Sequence, residues 1–186
     1  MSECSRVEGT IAIAEPRTTA ADRVGRVYAQ FRESVFRTAM RHTAGDRAAA
    51  EDVAHDVFVR LLRAIDGLDD DEQLGGWLYR VTVNLCLTRL RRDRFRRSVL
   101  RVWRVEERAS STPERDAGTR DELEKVLGTI ASLPPKERVV LTMLHLDGRS
   151  QIEIAQVLGH SKGYISKLVE RGRARVRAAG WESRDV

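Results

Sequence analysis

The chain has 186 residues, in which 33 Lys and Arg outnumber 28 Asp and Glu and give a net charge of +5. This length allows one ordinary domain or two small ones, and the high share of charged residues predicts a thin hydrophobic core. A pI near 9.7 points to a polyanionic partner.

Composition argues against several classes of protein. The two cysteines, Cys4 and Cys86, lie far apart and have no partners at metal-ligand spacing. The sequence therefore predicts no disulfide framework, no metal site and no cofactor. No apolar run approaches the length of a membrane span, and the N-terminus lacks the apolar segment of a signal peptide. We expect a cytoplasmic protein without membrane insertion.

The N-terminal part of the chain predicts a leader followed by two helices. Residues 1–22 show little periodicity and are predicted to be a disordered leader, to which we assign no role. Apolar residues then recur at three- and four-residue steps from Val24 to Ala39, which is typical of an amphipathic helix.

The second helix, predicted from about Asp46 to Ile65, has an unusually wide apolar face. Such a face is either buried on several sides or is divided between the core and a partner protein. Asp52 and Asp56 lie one turn apart near that second side. This stretch is acidic as a whole, because residues 45–73 hold nine acids against three arginines.

A loop is predicted from Asp66 to Gly76, and a third helix follows it. On this helix Leu78, Val81 and Leu85 mark a buried stripe. A polar row on another face runs into an arginine-rich end, and its members are Arg80, Asn84, Thr88, Arg91 and Arg92. Residues 77–108 hold ten arginines against three acids, so this stretch is suited to phosphate and to an unstacked single strand.

The helical periodicity of apolar residues ends over residues 98–118, which predicts a flexible linker there. This linker separates a first domain, 23–97, from a second domain, 119–180, which is followed by a tail at 181–186. In the second domain Pro135 suits the first turn of a helix, and Ser150 with Glu153 forms a capping-box pattern. Ser161 is placed to cap the last helix. The sequence thus predicts an all-α fold of two small helical domains.

A short helix, a turn with Gly159 and a basic helix form the pattern of a helix-turn-helix, in which the second helix enters the major groove. The candidate DNA-reading residues of this helix are Lys162, Tyr164, Ser166, Lys167, Glu170 and Arg171. An ordinary bundle with a basic last helix is the alternative.

Two other interpretations stay open at this point. Trp77 and Tyr79 either stack on bases or belong to the core. Asp52, His55 and Asp56 lie within one helix and raise the hypothesis of a metal-dependent hydrolase. No phosphate-binding glycine loop or nucleophile motif accompanies them, so we expect no enzymatic activity.

The segment from Ala50 to Leu62, AEDVAHDVFVRLL, and the segment from Trp77 to Leu85, WLYRVTVNL, resemble the extracytoplasmic-function (ECF) group of bacterial sigma factors. The motifs LPPKER from Leu133 and IAQVLGHSKG from Ile154 resemble the second domain of the same group. The order of these motifs along the chain makes the resemblance specific.

The resemblance implies a factor that binds core RNA polymerase through the clamp helices of its largest subunit and through its flap. It implies recognition and melting of the minus-ten promoter element by the third helix, recognition of the minus-thirty-five element by the last helix, and control by an anti-sigma protein. The residues it assigns to polymerase binding are Asp52, Asp56, Phe58 and Leu61. A conventional helix-turn-helix regulator that acts without polymerase is the competing hypothesis.

Overall fold

The computed structural model describes residues 20–68, 71–103 and 128–181, and every regular element within these ranges is helical. The predicted all-α fold is confirmed. The helices, numbered along the chain, are α1 (Ala20–His42), α2 (Arg47–Ala64), α3 (Asp71–Trp103), α4 (Pro135–His145), α5 (Gln151–Leu158) and α6 (Lys162–Ala178). A 3-10 turn spans Ile65–Gly67, and residues 128–132 are helical.

Helices α1, α2 and α3 enclose the first hydrophobic core. Val35 and Ala39 of α1, Val57 and Leu61 of α2 and Leu78 of α3 are all buried in it. The three- and four-residue spacing of these side chains places them on one face of each helix, as the sequence predicts. Burial of these apolar faces is the main source of stability for three helices that carry many charges.

Helix α3 is longer at both ends than the sequence predicts. It begins at Asp71, so the predicted loop over residues 66–76 is wrong in its second half. Leu74 is buried, and a Cβ atom on Gly75 would lie 3.7 Å from Phe31, so this turn packs closely on α1. Burial of Leu74 outweighs the cost of about 1 kcal/mol that each glycine imposes on a helix.

The other end of α3 extends to Trp103, so residues 98–103 belong to this helix and not to the predicted linker. Helix α1 likewise begins at Ala20, inside the predicted leader. The remainder of the leader, most of the linker, the first residues of the predicted second domain and all but the first residue of the tail lie outside the described residues.

Helices α4, α5 and α6 form a second core, and α3 contributes to it as well. Val83 and Leu87 of α3 are buried together with Val139, Met143 and Ile165. Helix α3 therefore has two apolar faces, one for each core. The two helical units pack directly on one another along it.

A buried polar cluster links the two units. The Asp147 carboxylate, in the turn after α4, has a side chain only 2% exposed. It accepts hydrogen bonds from His42 Nε2 at 2.9 Å, from the Tyr79 hydroxyl at 2.7 Å and from Arg41 Nε at 2.5 Å. Three donors from the first unit thus converge on one acceptor of the second, which satisfies a charge that burial otherwise penalises.

Candidate nucleic-acid interface

The turn before α6 is fixed by two side-chain caps. Ser150 Oγ accepts a hydrogen bond from the Glu153 amide at 3.3 Å, and the Glu153 carboxylate accepts one from the Ser150 amide at 2.8 Å, which confirms the predicted capping box. Hydrogen bonding of the Glu153 carboxylate to Ser150, followed by that to Arg149, lowers the pKa of Glu153 to about 2. Gly159 ends α5 in the left-handed region with φ +66°, and Ser161 caps α6 at the Tyr164 amide.

Helix α6 has one buried and one exposed face. Ile165, Leu168 and Val169 are buried, as the sequence predicts. A Cβ atom on Gly172 would lie only 2.8 Å from Leu141 Cδ1, so α6 also approaches α4 closely at this point. The exposed face carries five of the six predicted DNA-reading residues, which are Lys162, Ser166, Lys167, Glu170 and Arg171.

Tyr164, the sixth of these residues, is half-buried and held by its neighbours. Lys136 Nζ of α4 donates a hydrogen bond to the Tyr164 hydroxyl at 3.1 Å and lies 4.9 Å from the centre of its ring. The His160 ring packs edge-on against Tyr164. Burial lowers the pKa of His160, and the charges of Lys136 and Arg91 lower it further.

The polar row of α3 lies on a face that neither core covers completely. Arg80, Thr88, Arg91 and Arg92 are exposed, and Asn84 is half-buried. The Thr88 hydroxyl donates to the Asn84 carbonyl at 2.8 Å, so its donor is used within the helix. The arginines of this face and those of α6 present cationic groups at the ends of long, flexible side chains, which suits contact with phosphates.

Tyr79 and Trp77 are both partly buried, in different environments. Trp77 packs against the first core. Tyr79 packs against the second core and donates its hydroxyl to Asp147. Burial, followed by the hydrogen bond and charge of Asp147, raises the pKa of Tyr79. The structure therefore supports the core interpretation for both rings.

Helix α2 presents an acidic face together with one exposed apolar side chain. Asp52 and Asp56 are exposed, and Asp52 forms an ion pair with Arg89 of α3 at 3.0 Å. Phe58 and Leu61 are 8% and 0% exposed, because both fill the first core. Their predicted place on the polymerase-binding surface is therefore corrected. Leu62, 57% exposed, is the apolar side chain available on this helix.

Leu62 lies on the wide apolar face predicted for α2, but it is not among the predicted contact residues. The signal was the width of that stripe, which exceeds what one core can cover. Among the described residues, no three His, Cys, Asp or Glu side chains converge in a way that could hold a metal ion. The geometry thus gives no support to the hydrolase hypothesis for Asp52, His55 and Asp56.

Comparison with known proteins matches both units to one family. Residues 27–96 match the family model of Sigma-70 region 2, and residues 129–178 match that of Sigma-70 region 4. The RNA polymerase sigma factor NccH of Alcaligenes xylosoxydans xylosoxydans is 31% identical over 133 residues, which cover 69% of this chain and 71% of NccH. The chain belongs to the sigma-70 family.

Further relatives place this sigma factor in the ECF group. BldN, an ECF RNA polymerase sigma factor of Streptomyces coelicolor, is 29% identical over 153 residues, or 81% of this chain. The chain spans 58% of the length of BldN. The solved structure of CnrH in complex with the cytosolic domain of CnrY matches with a TM-score of 0.53 and 27% identity, covering 83% of this chain and 85% of that chain. CnrH is an RNA polymerase sigma factor of Cupriavidus metallidurans.

The family matches assign the helices to regions. Helices α1 and α2 with most of α3 form region 2, and helices α4, α5 and α6 form region 4. The exposed row of α3 therefore belongs to region 2, and the exposed face of α6 belongs to region 4. In the described parts of this sigma factor, no helix is both long enough and apolar enough to cross a membrane.

Proposed function

We propose that this chain is a promoter-specificity factor that binds core RNA polymerase, directs it to promoters and helps to melt them. The observation that carries this proposal is the presence, in one chain, of regions 2 and 4 with separate exposed cationic faces on α3 and α6. Bond-forming chemistry then belongs to the polymerase, and the chain itself has no catalytic role. It acts in the cytoplasm, where the polymerase works.

Helix α3 is proposed to recognise the downstream promoter element. Arg80, Asn84 and Thr88 lie at four-residue steps and therefore on one face, where they contact bases of the opened strand. Arg91 and Arg92 continue from this row and contact phosphates. The exposure of Arg80, Thr88, Arg91 and Arg92 in the structure supports this proposal.

Helix α6 is proposed to enter the major groove at the upstream promoter element. The residues that face the DNA are Lys162, Ser166, Lys167, Glu170 and Arg171, with Tyr164 at the edge of this surface. The contact with Lys136 holds the ring of Tyr164 in place, so Tyr164 packs beneath the DNA-facing residues and helps to position them. The Ser161 cap leaves the N-terminal end of α6, with its positive dipole, free to approach phosphate.

Lys167 provides a direct test of the role of α6. We expect Lys167→Ala to lower the occupancy of the upstream element by polymerase that carries this factor. The slope of log affinity against log salt concentration should also fall by about 1, because one phosphate contact is lost. Footprinting over a series of salt concentrations measures both quantities. Arg177→Ala, an exposed cation near the end of α6, serves as the control, and equal effects of the two variants would contradict the assignment.

Helix α2 is proposed to dock on the clamp helices of the largest polymerase subunit, and region 4 on the flap. The surface consists of the acidic Asp52 and Asp56 with the exposed Leu62. An exposed apolar side chain on the same helix as exposed carboxylates is suited to a partner surface that is apolar and basic.

A protein inhibitor of the anti-sigma type is proposed as a second partner. CnrH, which shares 27% sequence identity with this chain, was solved with the cytosolic domain of CnrY bound to it. We propose that a cognate protein likewise binds this chain and holds it inactive.

The competing hypothesis is a regulator that binds duplex DNA without polymerase. Footprinting on genomic fragments, with the chain alone and with core polymerase added, distinguishes the two. The sigma-factor proposal predicts protection only when core polymerase is present. Strong protection of a palindromic site by the chain alone would overturn it, since such sites are bound by dimeric regulators.

A further inference from the structure

The two units enclose a cleft of about 490 Å³ between the second half of α3 and the beginning of α4. Its walls include Leu90, Arg94, Arg97, Leu133, Pro135 and Arg138. Three of these side chains are guanidinium groups, and none of the described residues that line the cleft carries a carboxylate. The cleft is therefore strongly cationic.

Arg138 is the most unusual of the three arginines. Arg138 is only 6% exposed, and its Nε atom is buried without a hydrogen-bond partner. Its Nη2 atom donates to the His42 carbonyl at 3.3 Å. Within the described part of the chain, no carboxylate forms an ion pair with Arg138. A largely buried guanidinium without a counter-charge is costly unless an anion nearby compensates its charge.

Arg94 and Arg97 add two further charges from the α3 side. Both are exposed, and Arg97 Nε donates only to the Asp93 carbonyl of its own helix, at 3.3 Å. Burial lowers the pKa of Arg138, and the positive charge of Arg97 lowers it further. The mutual repulsion of these groups is relieved by an anion placed between them.

We propose that this cleft binds a small molecule that carries two or more phosphate charges. Guanidinium groups recognise phosphate through paired hydrogen bonds, and three of them match an anion of multiple charge. The apolar walls from Leu90, Leu133 and Pro135 offer contact to an uncharged part of the same molecule, such as a nucleoside. The volume lies within the range of small-molecule sites.

The position of the site gives the ligand a structural effect. Arg94 belongs to region 2 and Arg97 follows directly after this region on the same helix, whereas Arg138 belongs to region 4. An anion bound by all three arginines links the two regions and stabilises their contact. This inference does not depend on the proposed promoter function, because binding is measured on the chain alone.

Isothermal titration of the full chain with inorganic pyrophosphate tests the proposal at about 0.15 M salt, where exposed charges are screened. We expect saturable binding of one pyrophosphate per chain. Arg94→Gln and Arg97→Gln should each weaken it by about tenfold, because each removes a charge-assisted hydrogen bond. These exposed positions are preferred to Arg138, whose replacement also changes the core. Arg60→Gln, an exposed arginine of α2 outside the cleft, is the matched control.

The outcomes separate the possible sources of phosphate. Pyrophosphate binding that depends on Arg94 and Arg97 but not on Arg60 supports the site. Absence of saturable binding, or an equal loss in all three variants, overturns it. A short DNA duplex is titrated in parallel. If the duplex binds with the same dependence on Arg94 and Arg97 while pyrophosphate does not, the cleft reads backbone phosphate, and the small-molecule proposal is wrong.

Discussion

Replacing Asp147 by alanine is expected to lower the free energy of unfolding by about 3 kcal/mol. The carboxylate is buried and accepts hydrogen bonds from His42, Tyr79 and Arg41. Its removal leaves the buried Tyr79 hydroxyl and the fully buried His42 ring without their partner, which adds the cost of unsatisfied polar groups to the lost interactions. Equilibrium denaturation by urea measures the change.

Asp66→Ala is the control, because Asp66 is an exposed carboxylate that takes no part in the cluster. We expect this variant to stay within about 0.5 kcal/mol of the parent chain. A double-mutant cycle with Tyr79→Phe isolates the coupling across the two regions. An Asp147→Ala variant as stable as the Asp66→Ala control would show that the cluster does not hold the regions together.

The pH dependence of the same variant follows from the carboxyl group. Burial on its own raises the pKa of Asp147, but hydrogen bonds from His42, Tyr79 and Arg41 and the charge of His42 outweigh it and hold the pKa below its ordinary value of 3.8. A group whose pKa is lowered by folding contributes stability above its unfolded pKa, and this contribution is lost as the pH falls through the folded value. The stability difference between parent and Asp147→Ala should therefore be full near neutral pH and shrink below about pH 4.

The combined change Asp56→Lys and Leu62→Ala is expected to weaken the binding of core polymerase by about 30-fold. The first substitution reverses a charge on the proposed docking surface, and the second removes the apolar side chain exposed on α2. Because both positions are exposed, the stability of the fold should be nearly unchanged. Fluorescence anisotropy with a labelled chain measures the affinity.

Glu33→Lys with Val99→Ala reverses a charge and removes exposed apolar surface on α1 and at the end of α3, away from α2 and from region 4. This control should bind core polymerase like the parent chain, and an equal loss of affinity would assign the effect to net charge alone. Phe58→Ala is not a clean probe of docking. Phe58 is buried against Tyr28, with ring centres 4.8 Å apart, so its removal costs about 3 kcal/mol of stability.

The helices and their caps follow from local sequence, which explains why they are predictable. The Ser150 and Ser161 caps and the placement of Pro135 at the start of α4 depend on residues within one turn of each other. The exposed face of α6 follows from the same periodicity, since Ile165, Leu168 and Val169 alternate with charged residues at helical spacing.

Contacts between the regions could not be predicted in this way. Val83 and Leu87 lie on a second apolar face of α3 that a single-stripe interpretation leaves out, and only the position of α4 shows what they contact. Asp147 is separated from Tyr79 by 68 residues along the chain, so no local pattern links them. The cationic cleft likewise depends on Arg138 of region 4 lying opposite Arg94 of region 2.

At the start of α3 the local sequence predicts the wrong structure. Two glycines after a run of acids are typical of a loop, yet the helix includes both because Leu74 and Leu78 are buried. Tertiary packing overrides the intrinsic preference of these residues. Tertiary packing also explains why Phe58 and Leu61 are not on the docking surface, since both are buried in the core. The apolar stripe of α2 is wide enough to fill the core and still expose Leu62.

Run-off transcription with purified core polymerase and a library of promoter fragments from the source genome tests the central claim most directly. We expect transcripts with defined start sites that appear only when this chain is added, since its two regions are proposed to place the polymerase and open the DNA. If no fragment yields a transcript that depends on the chain, although the chain is folded and the polymerase is active with another sigma factor, the proposed function is wrong.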